Sequence, residues 1–167
     1  MKIERKNQIE AAVKKFISDF NLEKGFNIRK LVKNLGFDIA EGNYSDLSGA
    51  LIIDEDKKLI VLNQTDSSER KRFTIGHEVG HLILHEDMNL SLRKNESIYF
   101  RSSNNPGLEK EYEANYFAAC LLMNREWLFE SLNDQISINE GTISKLAREY
   151  EVSEQAMAIR LSSLGFV

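Results

Sequence analysis

The feature that most constrains this chain is a His-Glu-x-x-His pattern formed by His77, Glu78 and His81. The surrounding residues predict a helix over 68–85, and side chains four positions apart lie one above the other on the same helix face. Both imidazoles can therefore bind one metal ion, and neutral imidazole is a good ligand for zinc. Glu78 follows the first histidine, where such motifs carry the general base that accepts a proton from water. The competing, simpler interpretation is a helix with surface histidines.

His85 extends the row of histidines to eight positions after His77, and the chain has no others. Eight helical residues rise by about 12 Å, so the outer two imidazoles cannot easily share one ion. We therefore expect His85 to lie at the helix end or to support a ligand through a hydrogen bond. The third metal ligand must then come from another part of the chain.

Composition argues against several other classes of protein. The formal net charge of −4 gives no overall basic field for nonspecific binding of nucleic acid. The single cysteine, Cys120, cannot form an internal disulfide, and its apolar neighbours predict core packing. The charged N-terminus has no signal-peptide pattern, and no apolar run has the length of a membrane span. We expect a cytoplasmic protein.

The hydrophobic periodicities predict a mainly helical α+β fold with a small antiparallel sheet. The sheet would comprise a short strand at 37–40 and a hairpin of 48–54 and 57–63, joined by an acidic turn. A further strand at 97–101 and a loop at 102–107 that could cover a cleft are also expected. The expected helices comprise 4–20, 27–35, 68–85, 108–123, 142–150 and 153–164, with a short one after Asn124. The sheet edge could receive an extended substrate segment, although a purely structural sheet is an equal alternative.

The helix predicted over 108–123 carries the carboxylates that could complete the metal site. They are Glu109, Glu111 and Glu113. Glu111 and Asn115 lie four positions apart on one face, so one could bind the metal while the other hydrogen-bonds a ligand histidine. Glu113 is the main alternative to Glu111, and Glu109 is a weaker one.

Two separated segments resemble the ImmA/IrrE family of metallo-endopeptidases, which have an HExxH, zincin-like core. The first begins at Arg72 and reads RFTIGHEVGHLILH, and the second begins at Glu111 and reads EYEANYFAACLLM. The resemblance covers roughly residues 25–130, judged by where the motifs stand. Asn124 replaces the proline that usually follows the second motif in the family, which affects a helix boundary and no ligand.

The resemblance implies a role for each motif residue. The metal ligands for Zn²⁺ would be His77, His81 and Glu111, with Glu78 as the catalytic base and Asn115 as the polar residue that supports a ligand. A donor for the oxyanion of the transition state is also expected. The candidates for it are His85, Tyr99, Tyr112 and Tyr116.

The C-terminal helices have the spacing of a helix-turn-helix. We expect a zinc metallopeptidase-like domain over 1–130, and a helical extension over 131–167 that packs on it as a helical hairpin. A DNA-reading role is the weaker interpretation, because Arg160 is the only basic residue on the second helix and recognition helices need several donors. Direct DNA binding is therefore not expected.

The family resemblance also implies a function. It predicts a zinc-dependent endopeptidase of a bacterial or mobile-element regulatory system. Its protein substrate would be a helix-turn-helix repressor encoded nearby, cleaved so that the repressed genes are expressed. The alternative is a non-catalytic regulatory protein that binds a repressor or DNA and keeps a structural metal. Glu78 favours the enzyme, because a structural metal site needs no base.

Overall fold

The computed structural model describes residues 1–44, 48–54, 57–85, 106–132 and 138–167. Within these ranges the chain forms seven helices and one three-stranded sheet, which confirms the predicted α+β class. In chain order the elements are α1 (Ile3–Asp19), α2 (Ile28–Asn34), β1 (Asp38–Gly42), β2 (Gly49–Asp54), β3 (Lys57–Asn63), α3 (Ser68–Leu84), α4 (Pro106–Leu122), α5 (Arg125–Leu132), α6 (Glu140–Glu149) and α7 (Glu154–Ser163).

Parts of three predictions cannot be compared with the fold. The predicted strand at 97–101, most of the predicted loop at 102–107 and residues 55–56 of the acidic turn lie outside the described residues. The end of that loop differs from the prediction, because Pro106 and Gly107 form the first turn of α4. Proline is well suited to the first turn of a helix, where its missing N–H needs no partner.

The sheet is mixed, whereas the sequence predicted an antiparallel one. β2 and β3 form the predicted antiparallel hairpin, with Leu51 opposite Ile60, but β1 pairs in parallel with β3, with Ile39 opposite Ile60. The strand order is β1-β3-β2. Because the two outer strands run in opposite directions, the strand between them must be parallel to one of them. The central strand β3 is buried at Ile60, Val61 and Leu62.

Helix α3 is the central helix of the molecule. It begins at an N-cap, Ser67, whose hydroxyl oxygen accepts a hydrogen bond from the backbone N–H of Arg70 at 3.2 Å. It contacts α2, β2 and β3 and lies antiparallel to α4. Most of its residues between Arg72 and His81 are buried. The simpler interpretation of the motif as surface histidines is therefore wrong, because this helix is enclosed by other elements.

The C-terminal helices share a hydrophobic core with the rest of the chain. A single cluster includes Ile9 of α1, Leu121 of α4 and Leu161 of α7. Arg160 Nε donates to the backbone oxygen of Met123 at 3.1 Å in this buried region. The division of the chain near residue 130 stays a prediction. In the described part of the chain, no helix combines the length and the apolar character that crossing a membrane requires.

Candidate metal centre

Three predicted ligands from α3 and α4 meet at one point between the two helices. His77 Nε2 and His81 Nε2 lie 2.9 Å apart. Glu111 Oε2 lies 3.1 Å from His77 Nε2, and Glu111 Oε1 lies 3.2 Å from His81 Nε2. Both histidines are buried, whereas the Glu111 side chain is 37% exposed. The cluster is therefore buried at the two histidines and partly exposed at the Glu111 side chain.

These donor atoms fit a zinc ion. Two imidazole nitrogens and one carboxylate oxygen form a ligand set typical of catalytic zinc, which keeps a fourth position for substrate or water. Ligand atoms about 2.0–2.2 Å from a tetrahedral ion lie about 3.3–3.6 Å apart. The three ligand atoms here all lie within 4.8 Å of one another, and the closest separations are slightly shorter than the tetrahedral value. A small outward movement of the side chains would therefore accommodate the ion.

The electrostatics of the cluster favour an ionised Glu111. Burial by itself raises the pKa of Glu111, but hydrogen bonds and charge interactions with His77 and His81 outweigh burial and hold that pKa well below its usual range. Burial likewise opposes protonation of His77, but Glu111, Glu78 and Asn115 raise the pKa of His77 overall. The carboxylates of Glu111 and Glu78 thus concentrate negative charge where a cation would bind.

Glu113, the main alternative ligand, lies away from the paired Nε2 atoms. Its Oε1 accepts a hydrogen bond from Arg5 Nε at 2.8 Å, and its Oε2 accepts one from Arg5 Nη2 at 2.5 Å. Its Oε2 also lies 3.0 Å from His85 Nε2. The hydrogen bonds from Arg5 and then His85 outweigh burial and lower the pKa of Glu113. The geometry thus brings Glu111 to His77 and His81 and engages Glu113 elsewhere.

Each histidine of the cluster has a partner for its outward nitrogen. His77 Nδ1 lies 2.9 Å from Asn115 Oδ1, one turn after Glu111 on α4. His81 Nδ1 lies 3.2 Å from His85 Nδ1. Such partners fix the orientation and tautomer of a ligand imidazole. Asn115 and His85 are therefore in the positions that supporting residues of a metal site occupy.

Glu78 lies where the sheet approaches α3. Its side chain is buried, and a Cβ atom added at Gly49 of β2 would lie 3.6 Å from Glu78 Oε1 and only 2.2 Å from Thr74 Cγ2. Only glycine therefore allows β2 to come this close to the helix. The sequence interpretation did not single out Gly49, although a glycine inside a strand can indicate such a close approach.

The tyrosine candidates for the oxyanion donor have different locations. Tyr99 lies outside the described residues. The Tyr116 hydroxyl donates to Glu10 Oε1 of α1, so it points away from the ligand cluster. Tyr112 is exposed on α4. His85, which was also a candidate, uses both ring nitrogens for His81 and Glu113.

Arg5 is a residue near the site that the sequence interpretation missed. The signal for it was present, because Arg5, Ile9, Val13 and Phe16 are spaced as one stripe along α1, and the three apolar members are buried. A charged residue in an apolar stripe indicates a buried partner. That partner, Glu113, is 108 residues away in the sequence.

Comparison with known proteins identifies the family. A solved structure of a Mycobacterium tuberculosis transcriptional regulator resembles 95% of this chain with a TM-score of 0.66 and 16% identity, which shows a shared fold. This chain spans 48% of that structure, about half its length. No curated protein matches the sequence. The family model for Peptidase M78, described as the IrrE N-terminal-like domain, matches residues 35–162. Because this match covers most of the chain and both motifs, the chain belongs to the ImmA/IrrE family of metallopeptidase-like domains.

Proposed function

We propose that this chain is a zinc-dependent endopeptidase that cleaves a helix-turn-helix repressor and thereby releases the genes that the repressor silences. The observation that carries the proposal is the cluster of His77, His81 and Glu111 on two packed helices, with Glu78 on the same buried helix as the two histidines. Family membership supports metallopeptidase chemistry. The regulator named in the structural comparison is consistent with a role in transcriptional control.

Each residue of the cluster has a defined task in this proposal. His77 and His81, through their Nε2 atoms, and Glu111, through its carboxylate, would hold the ion. A zinc ion at this position would supply Lewis-acid activation of water and of the scissile carbonyl. The Glu78 carboxylate accepts the proton of the attacking water and delivers it to the leaving amide nitrogen. Asn115 keeps the ring of His77 oriented by accepting its Nδ1–H.

The edge of the sheet supports binding of an extended substrate. Among the described residues, β2 pairs as a strand only with β3, so an extended peptide that paired with its other edge would lengthen the sheet by one strand. Gly49 at the start of β2 lies beside Glu78. A peptide that adds to this edge would pass close to the base, which is the arrangement that cleavage within a chain requires.

The C-terminal helices support a protein substrate over direct DNA binding. Arg160, the only basic residue of α7, is buried and donates to the backbone oxygen of Met123. It is therefore not available to a phosphate group or a base edge. In this proposal residues 131–167 belong to the body of a cytoplasmic protease, and the repressor is recognised as a protein.

The test replaces Glu78 by Gln, which keeps the size of the side chain and removes the basic carboxylate. Cleavage of the purified repressor encoded beside the gene, followed by intact mass, should fall by about 10²–10⁴-fold, the usual contribution of a positioned general base. Zinc content and repressor binding should persist, because Glu78 is not one of the proposed ligands. Glu69→Gln, on the first turn of the same helix, is the matched control and should cleave normally.

The same variant separates the enzyme from a binding protein. In a reporter strain, Glu78→Gln should leave the repressor intact and its genes silent. If this variant derepresses the genes as well as the wild type does, hydrolysis is not the mechanism. The non-catalytic regulator with a structural metal then takes the place of the protease.

A further inference from the structure

A continuous hydrogen-bond chain leads from the metal centre to α1. His81 Nδ1 lies 3.2 Å from His85 Nδ1, and His85 Nε2 lies 3.0 Å from Glu113 Oε2. Arg5 of α1 then contacts both oxygens of Glu113. The outer end of this hydrogen-bond chain is therefore Arg5 of α1, and α1 lies outside residues 35–162, the range that the family model matches.

If His81 binds the metal, its tautomer determines which atoms of this hydrogen-bond chain are donors and which are acceptors. A histidine that binds a metal through Nε2 carries its proton on Nδ1. His81 Nδ1 therefore donates to His85 Nδ1, and His85 carries its own proton on Nε2, which donates to Glu113. Arg5 donates two more hydrogen bonds to the same carboxylate and balances its charge. With the proton of His81 on Nδ1 and that of His85 on Nε2, every donor of this hydrogen-bond chain meets an acceptor.

The inner members of this hydrogen-bond chain are buried, whereas the outer one, Arg5, is 35% exposed. The exposed fractions of the His85 and Glu113 side chains are 4% and 8%, and that of His81 is 1%. Water cannot readily replace a lost partner at such positions. Without Arg5, the Glu113 carboxylate would keep, among the described residues, only the neutral donor His85, and neither its position nor its charge would be fixed as before.

We propose that Arg5 is a positioning residue of the metal centre, which acts through Glu113 and His85 on the ring of His81. Docking of α1 is then part of building the site. This inference rests on the proposed metal binding by His81. The two proposed ligand histidines differ in this respect. The Nδ1 atom of His77 contacts Asn115 of α4, whereas that of His81 begins a series of contacts that extends to α1.

The first experiment measures zinc affinity by competition with a chromophoric chelator. His85→Leu should bind zinc about 10–100-fold more weakly than the wild type, the range seen for residues that support a ligand. Arg5→Met and Glu113→Gln should lose about tenfold, at the lower end of that range. Lys14→Met is the matched control, because Lys14 also joins α1 to another helix, through Glu126, and it should keep the wild-type affinity.

A second comparison separates positioning from simple packing of α1. In His85→Asn the amide oxygen occupies the place of the ring Nδ1, so it can still accept from His81, but the side chain is too short to reach Glu113. This variant should regain most of the affinity that His85→Leu loses. In the His85→Asn background, Arg5→Met should cause no further loss, because the connection between Arg5 and His81 is already cut.

The outcomes distinguish this inference from the proposed function. An equal loss from Arg5→Met in both backgrounds would mean that Arg5 acts only by docking α1, which overturns the positioning role. Wild-type affinity in Arg5→Met, Glu113→Gln and His85→Leu would overturn it too and leave the protease proposal intact. A wild-type protein that binds no zinc would overturn both.

Thermal unfolding of the metal-free proteins verifies folding. Arg5→Lys, which keeps the charge without the two-point contact, should have intermediate affinity and replaces Arg5→Met if that variant does not fold.

Discussion

Two glutamates on one helix have different surroundings because of where each side chain points. Glu111 and Glu113 are two positions apart, which corresponds to about 200° around a helix. Glu111 contacts His77 and His81 and remains 37% exposed, whereas Glu113 is buried against Arg5 and His85. The exposed carboxylate can reach an ion and a substrate. The buried one can only orient its neighbours.

This division predicts unequal effects of removing each carboxylate. Glu111→Ala should weaken zinc binding by at least about 100-fold, because a ligand contributes no less than the partners that support ligands. Glu109→Ala, one half-turn earlier on α4, should keep the wild-type affinity. Competition with a chromophoric chelator measures both. If the effect of Glu109→Ala exceeds that of Glu111→Ala, Glu111 is not the third ligand.

At the scale of secondary-structure elements, the site depends on how closely α3 and α4 approach. A Cβ atom at Gly80 would lie 3.0 Å from the backbone oxygen of Ala114 and 3.1 Å from its Cα. At Gly76, one turn earlier, the nearest atom would be Ala118 Cβ at 3.4 Å, which is an ordinary contact. Of these two positions, Gly80 therefore allows the closer approach of the helices, and it directly precedes the proposed ligand His81.

Gly80→Ala should force the two helices apart. We expect it to lower the free energy of unfolding by about 1–3 kcal/mol, as overpacking of a close contact does. It should also weaken zinc binding, because His81 and Glu111 sit on the separated helices. Gly76→Ala is the matched control and should be neutral or stabilising, since alanine is the better helix former by about 1 kcal/mol. Equal destabilisation by both variants, measured in urea, would contradict the proposed close approach.

At the scale of the whole molecule, the C-terminal helices share one core with the part that carries the candidate metal centre. Leu161 of α7 is fully buried in the cluster that also contains Ile9 and Leu121. Ser131 and Tyr150 approach to 3.0 Å between their hydroxyl oxygens, and burial raises the pKa of Tyr150 to about 12. Such contacts favour cooperative unfolding of the chain as one unit.

Leu161→Ala should therefore destabilise residues far from α7. We expect a loss of about 2–5 kcal/mol, the usual effect of removing a buried leucine side chain. Fluorescence of Trp127, the single tryptophan, reports on α5, so its urea midpoint should fall together with the midpoint from circular dichroism. Ile159→Ala, at an exposed position of the same helix, should change the free energy of unfolding by less than about 0.5 kcal/mol. An unchanged Trp127 midpoint in Leu161→Ala would mean that the extension unfolds independently.

The sequence by itself determined the features that depend on neighbours along the chain. A spacing of four residues brought His77 and His81 to one helix face, and the N-cap Ser67 set the start of α3. The hairpin of β2 and β3 followed from two β-rich runs with a short connection. These inferences succeeded because helical periodicity, capping and hairpin formation are decided by residues within a few positions of one another.

Only the tertiary structure decided which distant residues meet. The parallel pairing of β1 with β3 depends on strand order, which no local pattern encodes. The choice of Glu111 over Glu113 as the neighbour of His77 and His81 depends on how α4 is rotated against α3. The two helices pack closely at Gly80 and Ala114, which are far apart in the sequence. Arg5 reaches Glu113 only because α1 docks on α4. Such contacts depend on burial and close packing across the whole core. They therefore cannot be predicted from any short segment of the sequence.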